Sequence, residues 1–341
     1  MKKKGLLIIC ILLIVTILII LIIHMIQKNN NLKNNIETTK YYVSDNKWLK
    51  THGNKLVNKD NKVIQLRGVS SHGIQWYSKL YNRNNLKKLK DEWRINVFRV
   101  SMYPNIYDNG YMYDKTLIND VVKIVDNAIE LDMYVIIDWH TLNDNDPLMY
   151  ENDAVVFFET LAEKYKNKPN VIFEICNEPN GNDVTWKKNV KPYAEKVIKA
   201  IRKHAKRNLI IVGTPNWCKD LENVSKDPLK YDNVIYSVHF YAGDDDSYLQ
   251  AVIDDFRNNN LPVFISECGM TDNTGDGEIY EDRFREWIKY INENKISWVY
   301  WSLSNKDESS ALLSKKYKKG SSIDNYISDT GKIIKQILLD Y

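Results

Sequence analysis

The segment Val171 to Gly181, VIFEICNEPNG, holds two glutamates four positions apart. In an extended strand rising about 3.3 Å per residue, Glu174 and Glu178 stand roughly 13 Å apart along the axis, with the same parity. Glu174 is then expected deep inside a sheet as a hydrogen-bonded carboxylate. Glu178 is expected at the strand's end, where Pro179 and Gly181 stop it, in a position to act as general acid and base. Hydrolysis of a glycosidic bond needs a second carboxylate, and Glu267 supplies one at the end of PVFISEC (262–268). Two carboxyl groups about 5–5.5 Å apart permit double displacement with retention. Burial and mutual repulsion would raise the pKa of one of them.

Further side chains suit that chemistry. Arg99 can hold Glu267 ionised through charge-assisted bonds, and Tyr241 can bond the same carboxylate. Asn177 is placed to take a sugar 2-hydroxyl. Trp76, Trp217 and Trp301 offer flat faces for stacking on pyranose rings. His72 and His140, taken singly, read as structural hydrogen-bonders. Cys176 and Cys268 sit beside the two glutamates and read as small buried apolar residues rather than thiol nucleophiles.

These residues need a scaffold that brings distant segments to one rim. Eight short apolar runs recur: 64–70, 96–102, 134–140, 171–177, 209–213, 233–239, 262–268 and 297–302. The first seven are followed by stretches with helical spacing, such as 114–132 and 183–205, and TGKIIKQILLDY closes the chain. Continuous apolar strands alternating with helices predict a parallel sheet buried on both faces. Eight such units predict an α/β fold, a (β/α)₈ barrel over residues 46–341, with the site at the strands' C-terminal ends. A doubly wound open sheet is the rival, but it lacks a Gly-rich phosphate fingerprint after the first strand. KLVNKDNKVIQLRG (55–68) reads as a short hairpin about an Asn-Lys-Asp-Asn turn.

Residues 5–26 form a nearly unbroken apolar run, preceded by Lys2, Lys3 and Lys4 and lacking a small-residue cleavage site. Such a run is long enough to cross a hydrocarbon layer of about 30 Å. Residues 1–26 therefore read as a signal anchor with the lysines inside, and 27–45 as a polar linker. A cleaved signal peptide would equally place the body outside the cell. Residues 1–40 hold six of the 48 basic side chains and one of the 44 acidic ones, leaving 42 against 43. This near-neutral body argues against nucleic acid as partner, and KKYKK (315–319) reads as a solvated loop. A monomer is expected.

LRGVSSHGIQWY, INVFRVSMY, YVIIDWHTLNDNDP, NVIFEICNEPNG, VHFYAG, VFISECG and WSLSNKDESSALL occur in this order. Together they closely resemble glycoside hydrolase family 5, nearest to its bacterial endoglucanases, over about 47–340. The resemblance implies Glu178 as proton donor and Glu267 as nucleophile. It also implies Arg99, His140, Asn177, His239, Tyr241 and Trp301 as active-site support. His72, Trp76, Tyr103, Trp217, Lys306 and Glu308 fall where relatives line the glucan cleft. The implied activity is endo-hydrolysis of β-1,4-glucans with retention, using neither cofactor nor catalytic metal. The rivals are β-mannanase, xylanase or mixed-linkage β-glucanase, and a silent glycan-binding surface protein. One departure is Cys268, where near relatives carry an aromatic residue.

Overall fold

Eight parallel strands close into a barrel in a computed structural model that describes residues 42–341. A hairpin of β1 (Lys50–His52) and β2 (Lys55–Val57) precedes them. The barrel strands are β3 (Arg67–Ser71), β4 (Val97–Met102), β5 (Tyr134–Trp139) and β6 (Val171–Glu174). They continue with β7 (Ile210–Val212), β8 (Val234–Tyr241), β9 (Val263–Gly269) and β10 (Ser297–Leu303). Pairing of β10 with β3 closes the ring, which excludes the open sheet. Each of the eight apolar runs supplies one strand. At Gly68 an added Cβ would lie 1.9 Å from the Val97 carbonyl oxygen, so only glycine fits where β3 meets β4.

The interior is layered. Leu66, Val97, Ile136, Ile172, Ile211, Ile235, Phe264 and Val299 fill an apolar floor. Two residues further along β4, β5, β6 and β8, the same inward parity delivers Arg99, Asp138, Glu174 and Ser237, all fully buried. The opposite parity carries Phe98, Val100, Ile137 and Phe173 into the shell of helices. Those helices include Arg83–Trp93, Leu117–Glu130, Glu151–Tyr165, Lys191–His204 and Asp329–Asp340. Their starts are fixed locally where a cap is present. The Asn82 side chain accepts from the amides of Asn84 and Asn85, and Ser328 accepts from that of Gly331.

Three details depart from the sequence reading. Residues 42–45, expected in the linker, belong to the folded body: Val43–Asn46 is a helical turn, Val43 is buried, and its amide donates to the Asp132 carbonyl at 3.2 Å. The hairpin ladder turns at Gly53 and Asn54, before the expected Asn58–Asn61 turn. That second turn also forms, but it closes only an isolated bridge, Val57 to Val63. Finally, β6 ends at Glu174, so strand parity does not extend to Glu178. The amides of Asn177 and Glu178 bond instead to the Trp139 and Thr141 carbonyls. The expected anchor lies outside the described residues, among which no helix is long and apolar enough to cross a membrane.

Candidate active site

A cleft of about 800 Å³ opens at the C-terminal ends of the strands. Of the residues expected there, Glu178, Glu267, His140, His239, Tyr241, Trp301, His72, Trp76, Tyr103, Trp217, Lys306 and Glu308 all line it. Arg99 and Asn177 lie beneath the cleft and are fully buried.

One guanidinium organises the floor. Arg99 donates to Glu174 through Nε (2.6 Å) and Nη2 (3.2 Å), to Glu267 Oε2 through Nη1 (3.0 Å), and to Asn177 Oδ1 through Nη2 (2.6 Å). Asp138 Oδ2 stands 3.1 Å from Nη2. Burial alone would push Arg99 down, but Asp138, Glu174 and Glu267 outweigh it, so the guanidinium stays charged. A single positive charge among three carboxyl groups leaves excess acid, and protons are retained where burial is strongest. Asp138 is pushed up to about 7 by burial, against the pull of Arg99.

Glu267 carries both oxygens in use, Oε2 on Arg99 and Oε1 accepting from the Tyr241 hydroxyl at 2.7 Å. These bonds fix the orientation of the carboxyl group at the cleft floor. Glu178 is different. Burial pushes it up to about 7, with Arg99 and Lys219 pulling back and Glu174 and Asp244 adding to the rise. Its Oε1 lies 2.7 Å from His239 Nδ1. Oxygens of Glu178 and Glu267 lie within 4.8 Å of each other. A carboxyl bonded by a guanidinium and a phenol, beside one that burial pushes up to about 7, is an arrangement able to serve as nucleophile and acid.

Glu178, His239 and Glu267 could geometrically share a cation, since their donor atoms converge within 4.8 Å. Most of the converging atoms already have partners within the protein. Both ring nitrogens of His239 face hydrogen-bonding oxygens, Glu178 Oε1 and Ser266 Oγ, and Glu267 is bonded by Arg99 and Tyr241.

Aromatic rings build the walls. His140 stacks on Trp301 (5.0 Å, 14°) and lies 4.3 Å from Tyr103, while its Nδ1 meets Asp138 Oδ2 at 2.6 Å. Burial pushes His72 down to about 3 and His239 to about 4, so neither ring is charged at neutral pH. Trp76 and Trp217 are 45% and 46% exposed, which leaves their faces open to a ligand. Trp76 joins His72 at the β3 side, and Trp217 follows β7, which lies across the barrel. The Glu308 side chain is 4% exposed and paired with Lys306 at 2.6 Å.

Asn177 is more committed than its expected role allows. Its Oδ1 accepts from Arg99, and its Nδ2 donates to the Thr141 carbonyl at 3.1 Å. The remaining N–H faces His140 Nε2 at 3.5 Å and is the one a hydroxyl could take. Cys176, Cys218 and Cys268 are free and buried. The Cys268 thiol is pushed up by burial and donates to the Val299 carbonyl, so it fills the place of the aromatic residue without chemistry. Sequence reading missed Lys219, Asp244, Asp108, Asn143 and the Asn273–Gly275 loop, which line the cleft. Loop residues of this kind carry no periodic signal. It also missed Ser266, whose hydroxyl meets His239 Nε2 and Glu174 Oε1 beneath the cleft.

The Cellulase family, described as glycosyl hydrolase family 5, matches residues 57–307. The chain belongs to glycosyl hydrolase family 5. Endoglucanase A of Evansella cellulosilytica is 44% identical over 250 residues, 73% of this chain and 51% of that protein. An endoglucanase of Clostridium saccharobutylicum is 41% identical over 294 residues, 84% of this chain and 64% of its own length. The chain thus spans half to two thirds of these relatives. Among solved structures, Cellulase Cel5C_n superposes with a TM-score of 0.82 at 40% identity, covering 87% of this chain and 93% of that one. A variant of endoglucanase Cel5A of Thermobifida fusca, solved with cellotetraose, superposes at 0.80 with 29% identity, covering 87% and 99%. In this family 5 barrel every residue implied by the resemblance lies in the cleft or directly under it.

Proposed function

We propose that this protein is an endo-acting β-1,4-glucanase that cleaves internal bonds with retention of configuration. The observation that carries the reading is the approach of the Glu178 and Glu267 carboxylates to within 4.8 Å. Inverting enzymes need about 6.5–9.5 Å to seat a water between the two groups. Glu267 attacks the anomeric carbon as Glu178 protonates the departing glycosidic oxygen, giving a covalent glycosyl-enzyme. Glu178, now ionised, removes a proton from the water that displaces Glu267. Exposed tryptophans on opposite sides of an open cleft suit a polymer running through it, which supports endo action. The Asn177 N–H that meets His140 Nε2 only at 3.5 Å suits the sugar 2-hydroxyl. The endoglucanase relatives and the cellotetraose complex favour β-1,4-glucan over mannan or xylan. The apolar run at 5–26 supports an outward-facing protein held at the membrane.

The test is the anomer released first from cellotetraose, followed by NMR. The β-anomer is expected before mutarotation, and early α-anomer would remove Glu267 as nucleophile. Side-by-side assays should give the highest kcat/KM on carboxymethyl cellulose or barley β-glucan and much lower values on mannan and xylan. The pH profile follows from Glu178. Because its proton is needed and its pKa is about 7, kcat/KM should fall about tenfold per pH unit above that value. A plateau extending beyond pH 9 would show that the acid is another group.

A further inference from the structure

Ser266 is buried between the two glutamates of the VIFEICNEPNG segment. Its hydroxyl lies 2.5 Å from Glu174 Oε1, 2.5 Å from Ser237 Oγ and 3.0 Å from His239 Nε2. The other ring nitrogen of His239 meets Glu178 Oε1 at 2.7 Å. Glu174, Ser266, His239 and Glu178 therefore form one unbroken hydrogen-bonded line, from the barrel interior to the cleft.

A neutral imidazole carries a single N–H, and a serine hydroxyl a single proton. The line thus has two self-consistent arrangements. In the first, Glu178 holds the proton and donates to Nδ1, Nε2–H donates to Ser266, and Ser266 donates to an ionised Glu174. In the second, every bond is reversed: Glu174 holds the proton and donates to Ser266, Ser266 donates to Nε2, and Nδ1–H donates to an ionised Glu178. Three short proton transfers convert one into the other with no change in total charge. The two carboxyl groups share one proton.

Arg99 decides between the arrangements. Its two bonds to Glu174 stabilise that carboxylate when ionised, which sends the proton to Glu178. We propose that Ser266 is a positioning residue: by donating to Glu174 it holds His239 in the Nε2–H tautomer and so keeps the shared proton on Glu178. The proposal rests on the reading of Glu178 as proton donor. Other groups act on the two ends without belonging to the line. Glu178 is also faced by Glu267 from β9, Arg99 from β4, Lys219 after β7 and Asp244 after β8, and Glu174 by Arg99 and Asp138.

The experiment compares kcat/KM for cellotetraose with that for dinitrophenyl β-cellobioside, whose leaving group needs no protonation. Ser266→Ala frees the Nε2 end, lets Nδ1–H turn to Glu178, and favours the ionised acid. It should lose about tenfold or more on cellotetraose and less than about twofold on the dinitrophenyl substrate. Its descending limb should move to lower pH. Ser266→Thr, which retains the hydroxyl, should restore both readouts. Ser266→Cys, a near-isosteric change to a weak donor, gives the same comparison if the alanine variant fails to fold. Equal losses on both substrates, or an unmoved limb, would overturn the proposal. Glu178→Ala separates the two ideas. If its own losses do not depend on the leaving group, the reading of Glu178 fails. If they do, and those of Ser266→Ala do not, only the role of Ser266 fails.

Discussion

Replacing Glu267 by glutamine is expected to lower kcat on cellotetraose by a factor on the order of 10⁴ or more, with the fold retained. The carboxylate is the group placed to form the covalent intermediate, because its oxygens are bonded by Arg99 and Tyr241 while Glu178 stands within 4.8 Å. An amide has no comparable nucleophilic oxygen. With its oxygen kept on Arg99 Nη1, its NH₂ can donate to the Tyr241 hydroxyl oxygen, so the side chain stays in place while the nucleophile is gone. Binding should suffer far less than turnover, since Trp76, Trp217, Lys306 and Glu308 are untouched. Calorimetric titration of the variant with cellotetraose should show an affinity within a few fold of the wild-type KM. The dinitrophenyl substrate sharpens the result. A good leaving group can bypass an acid but cannot bypass a nucleophile, so Glu267→Gln should remain inactive on it. Retention of a hundredth of wild-type turnover on either substrate would sink the assignment. Glu178→Ala combined with Glu267→Gln should be scarcely worse than Glu267→Gln alone, because residues acting in one step do not contribute additively.

What sequence can reveal about such a site follows from how each residue is held. The barrel strands are legible because a parallel sheet covered on both faces has no polar side, and runs such as Tyr134–Trp139 are apolar without alternation. Glu178, Glu267 and the aromatic walls are legible because they sit where those runs end. The β1–β2 ladder is harder to see, since three-residue strands are too short to show a period, and the Gly53–Asn54 turn is the only local sign.

Ser266 is hidden for a different reason. Regular alternation would send Ser266 and Glu267 to opposite faces of β9. The pairings Ser237 with Phe264 and His239 with Glu267 show that β9 spans three residues where β8 spans two. The pairing with β10 slips in the same way, Trp298 with Ile265 and Tyr300 with Cys268. This bulge turns two consecutive side chains toward the interior, one to the cleft and one to the buried line. A bulge arises from contacts with both neighbouring strands and leaves no mark in the local sequence. The same holds for Lys219, which reaches Asp244 and Asp246 across two loops.

Arg99→Met should destabilise the barrel by about 3–5 kcal/mol at neutral pH. Methionine fills a similar volume, so the loss is electrostatic: Asp138, Glu174 and Glu267 remain buried with no counter-charge, and Asn177 Oδ1 loses its donor. To stay buried, these carboxyl groups must hold protons, so their folded pKa values rise above the unfolded values near 4. A group raised in this way contributes its full stability below the unfolded pKa and loses it as pH rises through the folded value. The difference between wild type and variant should therefore be small near pH 4 and widen toward pH 7. The comparison must be of differences, because Asp138 and Glu178 sit near 7 even with Arg99 present, and the wild type itself loses some stability over that range. Urea unfolding at several pH values measures the divergence, and a deficit that does not change with pH would mean that packing, not charge, accounts for it. Arg99→Lys separates charge from geometry. An ammonium restores the positive charge and should remove much of the pH dependence of stability. It cannot reach Glu174, Glu267 and Asn177 together with a planar fork, so turnover should stay low after stability has recovered.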